Sequence, residues 1–459
     1  MRLQSISDAL NPLSPLTNLS LSSPHRVLVV GCAYGGLSTV VNLLAYSQGK
    51  PKQVVYPDRM PDFEGKKSRS GVEITVIDER DGYFHSVGAP LAHVAPKHTP
   101  VMWKRYSHLN ELRHPNLHFK HGIVKKIDPE SKVAEWLDRN GKTQKQSYDY
   151  VVTATGLKRH WPAVPKSGSY VEYKKDAQEL IDKITGHGAK QEGRKVVVIG
   201  AGAVGIEFAG EISNHYPSIH VTLVHSREEV LSSEPLPSEV KAKVKDLLEE
   251  EGVHLVLGNR ATITQLPDSK YEVTLANGDK LSADLVLDTT RKGSPTTGFL
   301  PAETLNEEQE IKVTPQLSFE SSIPNKEAHF GVGDVIAWSG IKRAGGAMVM
   351  GQLVAANVYA SILNSEDSSN NYTLGELPEY PAVIGIAVGK QCLTYDKASG
   401  IQYGVQKMAD YFQDDLGWAA NLKYLGLTDV EDHVEQKVGY AEMSEVGVAA
   451  EQVPVQAAA

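Results

Sequence analysis

The chain has 459 residues, a formal net charge of −9, 41% hydrophobic and 22% charged residues. That length exceeds what one core can bury and implies two or three domains. The acidic balance argues against nucleic acid as a partner, because a phosphate backbone calls for a basic face.

Two cysteines, Cys32 and Cys392, make no disulfide framework and point to a reduced, cytoplasmic setting. Residues 1–24 lack the apolar core of a secretory signal and are expected to be disordered. They are rich in Ser and Leu, but a single Arg and interior prolines make mitochondrial import the weaker reading. No uninterrupted apolar run approaches the roughly 18 residues of a membrane span. Residue 2 is Arg, so the Met-Gly start of a myristoylated chain is missing. Peripheral membrane contact and oligomeric state stay open.

Order is expected from His25. Residues 27–30 (VLVV) read as a buried parallel strand, followed by Gly31-Cys-Ala-Tyr-Gly-Gly36 and a helix from Leu37 to Tyr46. Residues 50–70 carry three prolines and read as a surface insertion. A second strand covers 72–77. The same grammar returns at 196–199 (VVVI), Gly200-Ala-Gly-Ala-Val-Gly205, a helix to about Tyr216 and a strand at 219–224. This internal duplication of strand, glycine turn and helix is a stronger signal than either copy alone. Residues from Ser365 to about 379 read as a polar linker, 380–428 as a small third domain, and the acidic tail after Thr428 as disordered.

A dinucleotide diphosphate binds where a helix begins, because free N–H groups and the helix dipole both favour negative charge there. The first turn spells Gly31-x-Ala33-x-x-Gly36, with Ala33 at the middle glycine and Gly35 relieving some crowding. Asp78, ending the next strand, is placed to accept from an adenosine ribose, with Glu79 as a rival. Cys32 reads as packing. In the second turn Gly200, Gly202 and Gly205 complete the fingerprint. The following strand ends in His225-Ser-Arg227 without an acid, which leans from NADH toward the 2′-phosphate of NADPH. Glu207 reads as a first-turn carboxylate near the nicotinamide.

Two further motifs identify the architecture. Val151-Val-Thr-Ala-Thr155-Gly156 follows Tyr148-Asp-Tyr, and Phe330-Gly-Val-Gly333-Asp334 follows a short loop. With both glycine turns, these resemble the two-dinucleotide-domain flavoprotein reductases. Within them the chain looks most like the apoptosis-inducing-factor-2 or ferroptosis-suppressor group, with type II NADH dehydrogenases further off. The likeness covers about 25–425.

The resemblance implies an α/β fold of two Rossmann-like domains, the second inserted in the first, and a small C-terminal α+β domain. FAD would be bound by 25–164 and 291–364, NAD(P)H by 165–290, and the C-terminal domain would span 372–428. FAD would be held by Gly31, Ala33, Gly35, Gly36, Asp78, Thr155, Gly156 and the Val124 region, with Gly333 approaching the flavin and Asp334 on its ribityl chain. The helix after Lys342 would aim its positive end at the flavin ring, with Lys342 as an added stabiliser. No metal site is implied.

One departure stands out. Where the family closes its nicotinamide domain on a second T-G, this chain has Asp288-Thr-Thr-Arg291, which puts the domain junction in question. The stretch Val405–Phe412 reads as a domain helix more simply than as a membrane-surface one.

No C-x-x-C or C-x4-C pair exists, which rules out the flavin–dithiol chemistry of disulfide reductases. The expected activity is hydride transfer from NAD(P)H to FAD, then electron delivery to a quinone-like small molecule. A specialised biosynthetic oxidoreductase and a signalling flavoprotein are the alternatives.

Overall fold

A computed structural model describes residues 23–50, 56–188 and 191–428. The expectations for residues 1–22 and for the tail from residue 429 lie outside these.

The first sheet has seven strands, and its parallel core is built from sequence-distant pieces. His25–Val30 lies between Val72–Asp78 and Tyr150–Thr153, pairing Val27 with Ile74 on one side and with Tyr150 on the other. His329–Gly331 extends this parallel set beyond Tyr150–Thr153. On the other edge Leu117–Asp128 runs beside Val72–Asp78, then turns into an antiparallel meander with Val133–Asp138 and Thr143–Ser147. Val27 to Val30 are at most 3% exposed, as a central parallel strand covered on both faces requires.

The helix Tyr34–Ser47 covers this sheet beside the 23-residue helix Ala344–Glu366. The second helix is long and apolar enough to cross a membrane, but its most apolar window is 89% buried inside the protein. It is a core helix. The two helices touch through glycine: a Cβ on Gly351 would stand 2.3 Å from the Gly35 carbonyl oxygen and 2.7 Å from Ser38 Cβ.

The second sheet is parallel throughout, in the order His254–Val256, His220–Val224, Lys195–Ile199, Leu285–Asp288. An antiparallel sheet of Ala261–Gln265, Tyr271–Leu275 and Lys280–Ala283 accompanies it. A two-stranded ribbon, Leu157–Lys158 against Ser294–Pro295, joins the two halves where the chain leaves and re-enters the first. The third unit is an antiparallel sheet, Ile384–Val388, Gln391–Asp396 and Gly400–Gly404, followed by Val405–Tyr411 and Trp418–Leu425.

Two expectations change. The insertion is not wholly superficial, since Phe63 is 5% exposed and stacks edge-on against Tyr46 and Tyr359. The stretch read as a linker starts inside the long helix and continues as a bound strap. Asn357 holds both the N–H and the carbonyl of Gly375, and Leu377 N–H bonds to Pro315. Polar composition was misleading because the exposed side chains, such as Ser369, Asn371 and Glu376, say nothing of the backbone at Gly375 and Leu377, which is held by the rest of the protein.

The glycine contact gives a stability test. Gly351→Ala forces a methyl against backbone and should cost about 1–3 kcal/mol in urea unfolding. Gly345→Ala meets nothing within 4 Å and should leave the midpoint in place.

Candidate active site at the two glycine turns

Both turns are built alike. Gly31 (φ +87°) and Gly200 (φ +105°) take the left-handed conformation that lets the chain swing from strand to helix. A Cβ on Gly36 would lie 2.0 Å from the Gly31 carbonyl oxygen, and one on Gly205 would lie 1.8 Å from that of Gly200. These last glycines permit the helix to start against its own turn. Ala33 and Gly202 are the N-caps of Tyr34–Ser47 and Ala203–His215. Neither helix has a side-chain cap or an acid in its first turn, so both starts offer bare amides. A Cβ on Gly202 would meet nothing within 4 Å, so that glycine opens room where a ligand would lie. Gly35 serves packing, 3.2 Å from the Ala347 carbonyl by the same measure.

Asp78 reaches the first turn and braces it: its Oδ2 accepts from Cys32 N–H at 2.6 Å and its Oδ1 from Arg80 N–H at 2.7 Å. Burial raises its pKa from the usual carboxylate range. Each oxygen keeps a second lone pair for a sugar hydroxyl. Val124 is 5% exposed and pairs with Trp136, so it can serve a ligand only through its backbone.

Tyr34, inside the first turn, carries a link that the sequence did not reveal. His85 Nε2 lies 2.9 Å from the Leu416 carbonyl, which can only accept, so Nε2 bears the proton. Nδ1 therefore accepts from Tyr34 O–H at 3.0 Å, and that hydroxyl accepts from Val87 N–H. Burial lowers the His85 pKa to about 4 and raises that of Tyr34 to about 12. The turn is thereby tied to the C-terminal unit.

Gly333 (φ +78°) brings Asp334 to the start of the helix Ala344–Glu366, which also has no side-chain cap and no acid in its first turn. Asp334 Oδ2 holds the Arg159 guanidinium at 3.1 Å. Arg159 also acts electrostatically on Tyr34 and Glu207, so it lies where the two halves face one another. Sequence reasoning missed it. Its only signal was a cation three residues past Gly156. A groove before the long helix is lined by Gly333, Asp334, Trp338, Ile341, Met350 and Tyr380 among others.

Four expectations are corrected. Lys342 is not a free cation: its ammonium bonds Glu310 at 2.5 Å and the carbonyls of Asp334 and Ile336, so it buttresses the Asp334 turn. Thr155 spends its hydroxyl on the Thr296 carbonyl, and Gly156 accepts from Thr296, so both form the junction between halves. Glu207 lies one turn inside its helix, which starts at Ala203. His225 accepts from Ala201 N–H at Nδ1 and faces Ser232 through Nε2. Burial lowers its pKa, so it is a neutral brace and not a phosphate cation.

Arg227 is exposed. Arg291 is also exposed and does not disturb the junction, because Thr289 donates to the Ile199 carbonyl at 2.8 Å and packs over Gly205.

A protein with two sets of parallel strands, each opening on an uncapped helix behind a glycine turn, is built to hold two dinucleotides. The chain belongs to the pyridine nucleotide-disulphide oxidoreductase family, which it matches over residues 25–351. It is 37% identical to Oxidoreductase OXR1 of Ajellomyces capsulatus over 422 residues, 90% of each chain. It is 26% identical to human Ferroptosis suppressor protein 1 over 272 residues, 58% of this chain and 62% of that one. Among solved structures, NDH2 of Plasmodium falciparum in complex with NADH superposes with a TM-score of 0.62 at 13% identity, covering 87% of this chain and 96% of that one. The resemblance read from the motifs is borne out, and with it the α/β fold. FAD and a nicotinamide dinucleotide are the cofactors of this family, and the two bare helix starts fit both.

Two measurements check the site. Gly202→Ala should leave thermal stability unchanged while raising KM for the nicotinamide coenzyme at least tenfold, whereas Gly205→Ala should lower stability as well. Stability should also depend on pH. His85 and His93 are buried with pKa values lowered to about 4, against 6.5 in the unfolded chain. The unfolded state therefore takes up protons that the fold refuses, and stability falls as pH drops from above 6.5 toward 4. Urea midpoints at pH 7 and pH 5 test this, and His93→Asn should flatten the difference.

Proposed function

We propose that this protein is an NAD(P)H oxidoreductase that reduces a quinone-like small molecule through FAD, without a redox disulfide. The observation that carries the reading is the presence of two uncapped helix starts, behind Gly31 and behind Gly200, in a chain with no thiol pair to take electrons onward. Cys32 and Cys392 are buried and unbonded, and burial raises both thiols, Cys392 to about 11, away from the reactive thiolate.

FAD, when bound, accepts hydride from the nicotinamide and passes on two electrons. The chain supplies position and field. Gly31, Ala33 and Gly36 give the flavin diphosphate its amides, Asp78 its ribose acceptor, and Gly333 with Asp334 the approach to the sugar alcohol. Val124 contributes backbone only. Gly200, Gly202 and Gly205 do the same for the coenzyme.

Arg159, more than Lys342, is the cation available to the reaction centre, because its partner Asp334 also faces the flavin side. Trp338, Ile341, Met350 and Tyr380 give the groove before the long helix an apolar wall, and on this reading the acceptor lies on that side. Arg227 is an exposed cation just past the strand that follows the second turn, and the reading rests coenzyme choice on it.

Purified protein should be yellow, bleach with NADPH, and recover its absorbance at once when a soluble benzoquinone is added. Rapid bleaching with slow recovery against every quinone tried would instead indicate a specialised acceptor or a signalling role. Arg227→Ala should raise KM for NADPH about tenfold more than KM for NADH. An equal change for both coenzymes would remove the 2′-phosphate from its role.

A further inference from the structure

The helix that opens at the second glycine turn carries Glu207, Glu211 and His215, each four residues from the next. Residues at that spacing are neighbours on one helix face, with Cβ atoms about 5–6 Å apart. The three differ in setting, with the most buried in the middle. Glu207, half-buried, lies at the cleft, where it feels Arg159 and accepts from the Ala387 N–H. Glu211 is 2% exposed, in the interior. Its Oε2 lies 3.2 Å from His215 Nε2, and the His215 side chain is 26% exposed at the outer end of the helix.

A buried carboxylate midway along a helix is costly unless it is partnered. Here the cost is maintained by a close roof. A Cβ on Gly210 would lie 2.5 Å from Gly389 N, so the turn of the C-terminal hairpin seals the helix against water.

Quinone reduction has a proton requirement that this row meets. The balance is NAD(P)H + H⁺ + quinone → NAD(P)⁺ + quinol. The hydride supplies two electrons and one hydrogen, and one proton must come from solvent. Glu207 is itself covered by the Ala387 strand of the C-terminal sheet, so that proton needs a path.

We propose that Glu207, Glu211 and His215 form a proton-conducting file from the outer end of this helix to the reaction cleft. The idea rests on the quinone reading above. Glu207 gives its proton to the acceptor side, breaking its own O–H bond. Glu211 then reprotonates Glu207, His215 reprotonates Glu211, and His215 refills from solvent. No electrons pass along the file.

The groups facing it suit this direction of travel. Arg159 stands at the inner end. Glu251 and Lys390 flank Glu211, with Lys390 Nζ 3.9 Å from Glu251 Oε1. At the outer end His215 faces His98, whose own surroundings include Lys97, Asp414 and Asp415. Burial, reinforced by the Glu211 charge, raises the Glu207 carboxyl to about 8, so it holds a proton to give at neutral pH. Glu211 and His215 touch no ligand; they act through Glu207.

The test separates proton delivery from electron delivery in the flavin-loaded holoprotein. Glu211→Gln keeps the shape and cannot pass a proton on. Three rates are read by stopped flow: flavin bleaching by NADPH, reoxidation by a soluble benzoquinone, and reoxidation by ferricyanide, which takes electrons and no proton. The file predicts that Glu211→Gln slows quinone reoxidation more than tenfold and leaves the other two rates within about twofold. Glu211→Asp should recover part of the loss. The wild-type quinone rate should fall as pH rises through about 8, while the ferricyanide rate stays flat.

His215→Phe repeats the test at the outer end, and decides the matter if Glu211→Gln does not fold. Equal slowing with both oxidants, or no slowing with either, overturns the file while leaving quinone reduction intact. Wild-type protein that reduces ferricyanide but no quinone overturns the acceptor reading itself.

Discussion

A helix can present free amides to a diphosphate only if nothing in its own sequence caps it, and only if it starts hard against the strand before it. Both conditions hold twice in this chain, and much of the architecture serves them. Gly36 and Gly205 remove the side chain that would push each helix away from its turn. Asp78 and His225 then hold those turns from the neighbouring strand ends, each accepting one N–H from the turn, at Cys32 and at Ala201. Two residues that sequence reasoning assigned to ligand sugar and ligand phosphate thus share a job as braces. The brace is what keeps the remaining amides aimed outward.

The elements easiest to read were those whose chemistry is local. Four apolar residues, a glycine turn and a helix can be recognised from a dozen letters, because strand, turn and helix each depend on neighbours in sequence. The strands at 27–30 and 196–199 extend to His25–Val30 and Lys195–Ile199. The helix expected from Leu37 starts three residues earlier, since Tyr34, Gly35 and Gly36 already adopt helical geometry behind Ala33.

What resisted reading was non-local. Arg159 gains meaning only from Asp334, far along the chain, and Lys342 loses its expected freedom only because Glu310 meets it. Trp338 and Tyr380 lie on either side of a helix and its approach, and no spacing marks them as partners. The strap after Ser365 looked like a linker because its composition is polar. Whether a polar stretch faces water or a buried Asn357 is decided by tertiary placement alone.

The ribbon of Leu157–Lys158 and Ser294–Pro295 has a consequence for the history of such a chain. The outgoing and returning strands lie side by side, so the chain between them leaves and rejoins the host at one stem, while its helices also pack on the host, Tyr216 donating to the Val94 carbonyl and Tyr173 to that of Thr99. A stem of that kind lets loops on the far side of the lobe be lengthened or trimmed while the host keeps its strand order. Variation in coenzyme taste can then accumulate on one side of the stem without disturbing the fit to the flavin on the other.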